Sequence, residues 1–417
     1  MAMNVLFCNP TITAQADAPY ISRLRVQAMI SAGLQADLLA FPERNPADPD
    51  GRLCPYRSVE RRLTPPQQRW WTAAERRFGA YWRLTAEALL VTASALSQAS
   101  SGYDILYFAH TEPWILRLLL SPARRSRLPP TVAVIPYVFW TGASMRALPL
   151  RTRLRGWLNQ RILQRLPRHV ALVFQHPAMV AASGLAASPR VRVIPEGHED
   201  LTCRYSATEA RRRLGLPPEE RVLLLFGAAS RIKRSDLVLQ ALETLPPSFT
   251  LCIVGETGGL YESTWGDIER PALQPWRNRL RVIGRRVPDE EMHDYFAASD
   301  AVILPYRQGH PTSSGNLRLA VEHGKAVIAS DQHSLGDVVG RYRLGWLYIP
   351  DDLADLRRCL ADFAQRPSAW FAEIRENCRK LVAEVSWAAV GRQYRELFEE
   401  LIAGSDAAGL RPPRRKP

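Results

Sequence analysis

The sequence is poor in the features that most readily assign a chain to a class. Its 417 residues hold six cysteines, at 8, 54, 203, 252, 359 and 378, and no Cys-x-x-Cys pair. Such scattering argues against a disulfide framework and offers no zinc-ligand spacing, so a reducing, cytoplasmic setting is expected. No apolar run approaches the roughly eighteen residues that cross a bilayer. The opening Met-Ala-Met-Asn-Val-Leu-Phe-Cys-Asn-Pro has no basic stretch ahead of an apolar one, which argues against a secretory leader. Acidic balance is missing too: the formal net charge is +14 and the pI near 9.9, carried almost entirely by arginine. That excess suits phosphates, an anionic membrane met from its surface, or solvated helix faces. A nucleic-acid role is not expected, because neither a Cys/His finger nor a basic stripe interleaved with stacking aromatics accompanies the charge.

What is present is a repeating alternation of apolar runs and amphipathic stretches. With 46% hydrophobic residues the chain can fill roughly two domain cores. Asn4 to Cys8 reads as a buried strand, Tyr20 to Ala32 as a helix stopped by Gly33, and Ala36 to Phe41 as a second strand. Further strands are expected at Ile105 to Ala109, Thr131 to Pro136, Val170 to Phe174 and Val191 to Ile194. A charged, turn-rich stretch, Pro195 to Pro218, reads as a connection. The rhythm then restarts at Val222 to Phe226, Leu251 to Val254, Arg281 to Ile283, Ala301 to Leu304 and Ala326 to Ser330. Strands alternating with helices predict parallel sheets covered on both faces, an α/β chain of two domains.

The richest segment runs from Leu304 to Asp331. Thr312-Ser313-Ser314-Gly315 supplies cap chemistry after the strand ending at Pro305, and Leu317, Ala320 and Val321 keep a helical stripe until Gly324. A helix N-terminus at the carboxyl end of a parallel strand is a preformed anion site. Glu322 lies near the end of the same helix, and helical side chains lean toward the N-terminus, so its carboxylate is placed to accept hydrogen bonds from paired sugar hydroxyls. Diphosphate at the amides of Ser313, Ser314, Gly315 and Asn316, with Leu317 counted among the donor-binding residues and ribose at Glu322, describes a nucleotide-diphosphate donor site.

This segment resembles the donor site of the retaining family 4 glycosyltransferases, whose GT-B fold has two facing Rossmann-like domains; the resemblance covers nearly the whole chain. Family members carry Glu, seven residues, Glu. Glu322 matches the second, while Ser314 stands at the first, as in a subgroup with a Thr/Ser-Ser-Gly loop. The resemblance implies that the loop Phe226 to Arg234 clamps the donor diphosphate through Gly227 and Lys233. Ala228 replaces the family arginine, so Arg231 is the substitute cation. It implies that His110, after Tyr103 to Ala109, hydrogen-bonds the transferred sugar, and that Gly284 and Arg286 belong to the loop whose backbone reads the base. His198, in Val-Ile-Pro-Glu-Gly-His at the domain junction, either touches the donor or packs the hinge.

The implied boundaries are an acceptor domain, 1–198, a donor domain, 199–385, a returning helix, 386–405, marked by Trp387, Tyr394 and Phe398, and a disordered basic tail, 406–417. The family's Gly-Gly loop is absent, since Asn9 to Pro19 has no glycine. The aromatic segment Gln68 to Ser97 reads either as core or as an acceptor- or membrane-facing helix. The implied activity is transfer of a sugar from a UDP- or GDP-type donor to a hydroxyl of a glycan, lipid-linked saccharide or metabolite, with retention, no resident metal and no other cofactor. A sugar-nucleotide epimerase or hydrolase and a silent partner subunit remain as alternatives.

Overall fold

The computed structural model describes residues 3–8, 18–40, 56–58, 92–98, 102–109, 128–135, 150–166, 170–186, 188–227, 233–255, 271–308 and 314–407. The chain divides into two compact units, Met1–Gly197 with Trp387–Pro417, and His198–Ser386.

The first unit is built on strands β1 (Asn4–Cys8), β2 (Gln35–Ala40), β3 (Tyr56–Ser58), β4 (Ile105–Phe108), β5 (Thr131–Val134), β6 (Val170–Phe174) and β7 (Val191–Val193). They form one parallel sheet in the order β3-β2-β1-β4-β5-β6-β7. Helices α1 (Ala18–Ser31), α2 (Leu150–Arg165) and α3 (Pro177–Ser183) lie between strands in the sequence. Runs such as Val-Ala-Leu-Val-Phe in β6 are buried at every residue. A parallel sheet covered on both faces has no solvent side, so its strands lose the polar alternation of a half-exposed one.

The second unit has β8 (Val222–Phe226), β9 (Thr250–Val254), β10 (Leu280–Ile283), β11 (Ala301–Leu304), β12 (Ala326–Ser330) and β13 (Gly345–Tyr348), ordered β10-β9-β8-β11-β12-β13 and again parallel. Its helices are α4 (Ala207–Leu214), α5 (Ser235–Leu242), α6 (Asp289–Ala298), α7 (Gly315–Glu322), α8 (His333–Arg341), α9 (Leu353–Gln365) and α10 (Ser368–Glu384). The stretch expected to be a plain connection, Pro195 to Pro218, contains α4. Ser206 caps its start by accepting from Glu209 N, left-handed Gly215 ends it, and Arg211 fastens it to the Ala298 carbonyl and Asp300.

The last helix, α11 (Trp387–Ala407), belongs to the first unit and continues two residues beyond the expected end at 405; residues 408–417 lie outside the described residues. Tyr107 on β4 donates to the Tyr394 hydroxyl on α11 at 3.0 Å, with the rings edge to face at 5.3 Å. Buried Arg25 of α1 lies beside both. Gly391 sets how closely α11 and α1 approach, because a Cβ there would meet the Ala28 carbonyl. Among the described residues no helix is long and apolar enough to cross a membrane.

Gly391→Val is expected to cost about 1–3 kcal/mol of stability through overpacking. Gly404→Ala is the control, since a Cβ at 404 meets nothing within 4 Å, and it is expected to leave the thermal midpoint unchanged or raise it. Denaturation of both variants checks the difference.

Candidate functional site at the switch point of the second sheet

In the second sheet the chain moves outward from β8 through β9 to β10, then returns to β8's other side and moves away through β11, β12 and β13. The reversal between β8 and β11 opens a crevice at their carboxyl ends, where open α/β sheets bind ligands. Two loops meet there. β8 leaves through Phe226 and Gly227, and the segment after β11 re-enters as α7.

The Phe226 carbonyl joins them. It accepts from Asn316 Nδ2 at 2.7 Å and from Lys233 Nζ at 3.4 Å. Gly227 allows this crossing. Its φ is +98°, a left-handed conformation, and a Cβ there would collide with the Lys233 ammonium. On the other side Ser314 is the N-cap of α7, its Oγ accepting from Leu317 N at 3.2 Å and hydrogen-bonding the Tyr306 hydroxyl at 2.8 Å. Burial pushes the Tyr306 phenol up to about 12, although its hydrogen bonds to Ser314 and Asn316 pull the other way.

Outer groups hold the described residues on either side of the crevice. Arg234, in the left-handed conformation (φ 45°) at the start of α5, holds Asp236 at 3.0 Å and also Asp351. Asp351 accepts from Gln308 N at 3.2 Å, and Gln332 donates to the carbonyls of Tyr306 and Arg307 at 2.9 and 3.0 Å. The guanidinium next to Lys233 is thereby matched by two carboxylates.

Lys233, Gly227, Ser314, Gly315 and Asn316 thus come together as expected from their places in the sequence. Leu317, counted among the donor-binding residues, gives its amide to Ser314 and has a buried side chain. Glu322 is turned inward. The carboxylate expected to reach a ribose is 1% exposed, with Oε2 accepting from Arg318 at 2.6 Å and Oε1 from Glu199 N at 3.1 Å. Burial pushes the Glu322 carboxyl up to about 7 against the pull of Arg318 and of these hydrogen bonds. Its carbonyl also accepts from Leu201 N at 2.9 Å, so α7 is tied to 199–201 twice.

Gly284 and Arg286 lie exposed after β10, two strands from β8, or about 10 Å along the carboxyl edge. His198 donates its amide to the Val385 carbonyl at 2.9 Å and bridges Ser386, both within the second unit. His110, Arg231 and Ser313 lie outside the described residues, as does most of 68–97. Sequence reasoning missed Tyr306, Arg234, Gln332, Asp351 and Arg318. Of these, Arg318 carried a readable signal, an arginine four residues before Glu322 on one helix.

Behind α7, His293 Nδ1 and His323 Nε2 hydrogen-bond at 2.9 Å, and Tyr205 stacks on His293 at 4.7 Å. Burial lowers His293 to about 4 and His323 to about 2 from an ordinary 6.5. The fold therefore holds both rings neutral. Their contribution is complete above the unfolded value and is lost as pH falls through the folded one.

Two measurements follow. Arg318→Met should destabilise the second unit by about 3–5 kcal/mol, because it leaves Glu322 buried without its counter-charge, and Arg318→Leu/Glu322→Leu should recover much of that loss on chemical denaturation. The thermal midpoint should fall from pH 6.5 toward pH 4, and less steeply in His293→Gln/His323→Gln.

Residues 220–365 match the family described as glycosyl transferases group 1. A D-inositol 3-phosphate glycosyltransferase of Streptosporangium roseum is 26% identical over 229 residues, covering 52% of this chain and 51% of that protein. The chain spans about half the length of the curated relatives first matched. Sucrose-phosphate synthase from Thermosynechococcus elongatus superposes with TM-score 0.71 at 19% identity, over 97% of this chain and 100% of that one. The Anabaena protein HepE in complex with UDP-glucose does so with TM-score 0.69 at 18% identity, over 95% and 100%. The chain has the GT-B fold, and its second unit matches the glycosyl transferases group 1 family over residues 220–365.

Proposed function

We propose that this protein is a glycosyltransferase that moves a sugar from a nucleotide-diphosphate donor to an acceptor hydroxyl with retention of anomeric configuration. The observation that carries the reading is the convergence of Lys233, Asn316 and the capped start of α7 on the carboxyl end of β8. A diphosphate held there meets an ammonium and the outward amides of Gly315 and Asn316. Relatives named as glycosyltransferases support the reaction class, and a structural neighbour in complex with UDP-glucose supports a nucleotide-sugar donor of the UDP type.

In this reading the bond between the anomeric carbon and the diphosphate oxygen breaks, and the electron pair leaves with the diphosphate. The acceptor oxygen bonds to the same carbon, and its proton passes to the departing phosphate. Charge grows on the diphosphate during this step, so a preorganised cation beside it lowers the barrier more than any group acting on the ground state. Lys233 supplies that cation, assisted by Arg231. His110 hydrogen-bonds the sugar, and Gly284 and Arg286 lie toward the base. Glu322 acts indirectly, holding the last turn of α7 against 199–201. No resident metal is required, since the cation at the leaving group belongs to the protein. The acceptor is a hydroxyl of a glycan, a lipid-linked saccharide or a metabolite.

Thermal-shift measurement against UDP, GDP, ADP and dTDP sugars, with EDTA and with magnesium, tests the reading. One nucleotide class should stabilise the protein equally under both conditions. Lys233→Ala and Gly227→Ala should each weaken that binding at least tenfold, whereas Glu322→Gln should lower the thermal midpoint and change donor affinity less than tenfold. No stabilisation by any donor would overturn the proposal in favour of a silent partner subunit. A tenfold loss of affinity in Glu322→Gln without loss of stability would return Glu322 to the ribose.

A further inference from the structure

Four non-glycine residues among those described have a left-handed backbone: Arg234 (φ 45°), His333 (φ 46°), Arg343 (φ 52°) and Asp351 (φ 64°). A residue with a Cβ adopts this conformation at a cost, which a fold retains where something is gained in return. For three of the four the gain is visible. Arg343 follows the C-cap of α8, and a left-handed residue there is a common way to end a helix. Arg234 and Asp351 pair with each other, and Asp351 also accepts from Gln308 N. His333 has no such account. It opens α8 directly after the N-cap Gln332, its side chain is exposed, and its ring makes no hydrogen bond, ion pair or ring contact among the described residues. Histidine enters this region more readily than most residues, but a glycine would hold the turn with no side chain at all.

The turn itself is firmly placed. Gln332 Nε2 donates to the carbonyls of Tyr306 and Arg307 at 2.9 and 3.0 Å and to Ser330 Oγ at 2.9 Å, and the Asp331 amide donates to the Tyr348 carbonyl at 2.8 Å. His333 is thus one residue from a side chain fastened to the segment that leaves β11, on the side of β11 away from β8. Asp331 beside it is committed to the fold, since a Cβ on Gly336 would meet its Oδ1.

A nucleotide-diphosphate sugar has a fixed order of parts: base, ribose, diphosphate, sugar. With the diphosphate between β8 and β11 and the base toward β10, the sugar lies on the other side, toward β11 and β12. Ser314, which stands in the place of the first glutamate, has its hydroxyl engaged by Leu317 N at 3.2 Å and by the Tyr306 hydroxyl at 2.8 Å. A sugar on that side needs another hydrogen-bonding side chain, and a neutral imidazole offers a donor and an acceptor.

We propose that His333 holds a hydroxyl of the transferred sugar. This role rests on the donor reading and deepens it, adding a contact to the sugar from the carboxyl end of β12. Isothermal titration of the full-length protein with UDP, UDP-glucose, UDP-galactose, GDP and GDP-mannose is the test. His333→Gly suits the left-handed backbone, so its thermal midpoint should equal or exceed that of the wild type. It should bind the free nucleotide within about twofold of the wild type, yet lose about tenfold or more in affinity for the sugar nucleotide that the wild type prefers. The proposal is overturned if His333→Gly binds that sugar nucleotide as the wild type does, or if free nucleotide and sugar nucleotide weaken equally. Binding of none of the five ligands by the wild type would remove the donor reading itself, and the role of His333 with it.

Discussion

The half-buried Phe226 carbonyl stands at the end of β8, where the strand's ladder stops, and a main-chain acceptor there has to find donors. The donors come from opposite sides of the topological reversal, Lys233 from the loop that continues β8 and Asn316 from the helix that follows β11. One atom therefore fixes the distance between two segments more than eighty residues apart in sequence. Gly227 is tied to the same arrangement, because any side chain there would displace the ammonium. The described ends of the two segments are held one layer out, where Arg234 joins Asp236 and Asp351, and where Gln332 donates to the carbonyls of Tyr306 and Arg307.

The far end of α7 is held by a different kind of interaction. Arg318 and Glu322 face each other at 2.6 Å with side chains only 5% and 1% exposed, an ion pair in which desolvation opposes attraction. Such a pair adds little net stability over a hydrophobic one, yet it fails badly when one partner is lost. Its contribution is geometric: Glu322 Oε1 accepts from the Glu199 amide, which ties the last turn of α7 to that segment. The neutral His293–His323 pair beneath it follows the same rule, a polar contact kept uncharged by burial. The start of α7 turns toward solvent chemistry while its end is locked to the unit's own interior.

These differences explain what could be read in advance. β1, β6, β8, β11 and β12 have the bounds expected of them, because a strand buried on both faces is an uninterrupted apolar run. β13 alternates buried and half-buried residues at a sheet edge, and β3 has only three residues, so neither leaves such a run. α4 announced itself through Ser206, Glu209 and Gly215 but was hidden by the charge of its surroundings. At the site, Lys233 and Asn316 were legible because one lies between a strand and the helix that follows it and the other opens a capped helix. The fate of Glu322 was not. Its partner Glu199 is 123 residues away, and no local pattern records that a hinge amide will claim a carboxylate.

Arginine makes the same point about charge. Arg211, Arg234 and Arg318 are each matched to a carboxylate inside the second unit, and there the excess is structural. In the first unit α2 offers no acidic residue within its own length, and Arg153, Arg161 and Arg165 share their exposed face with leucine and tryptophan. A protein gains no folding energy from leaving apolar side chains in water beside like charges; both raise the free energy of the isolated chain. Arginines paired as Arg211, Arg234 and Arg318 are add nothing to the net charge of +14, which is what remains after every acidic residue is counted against the 55 lysines and arginines.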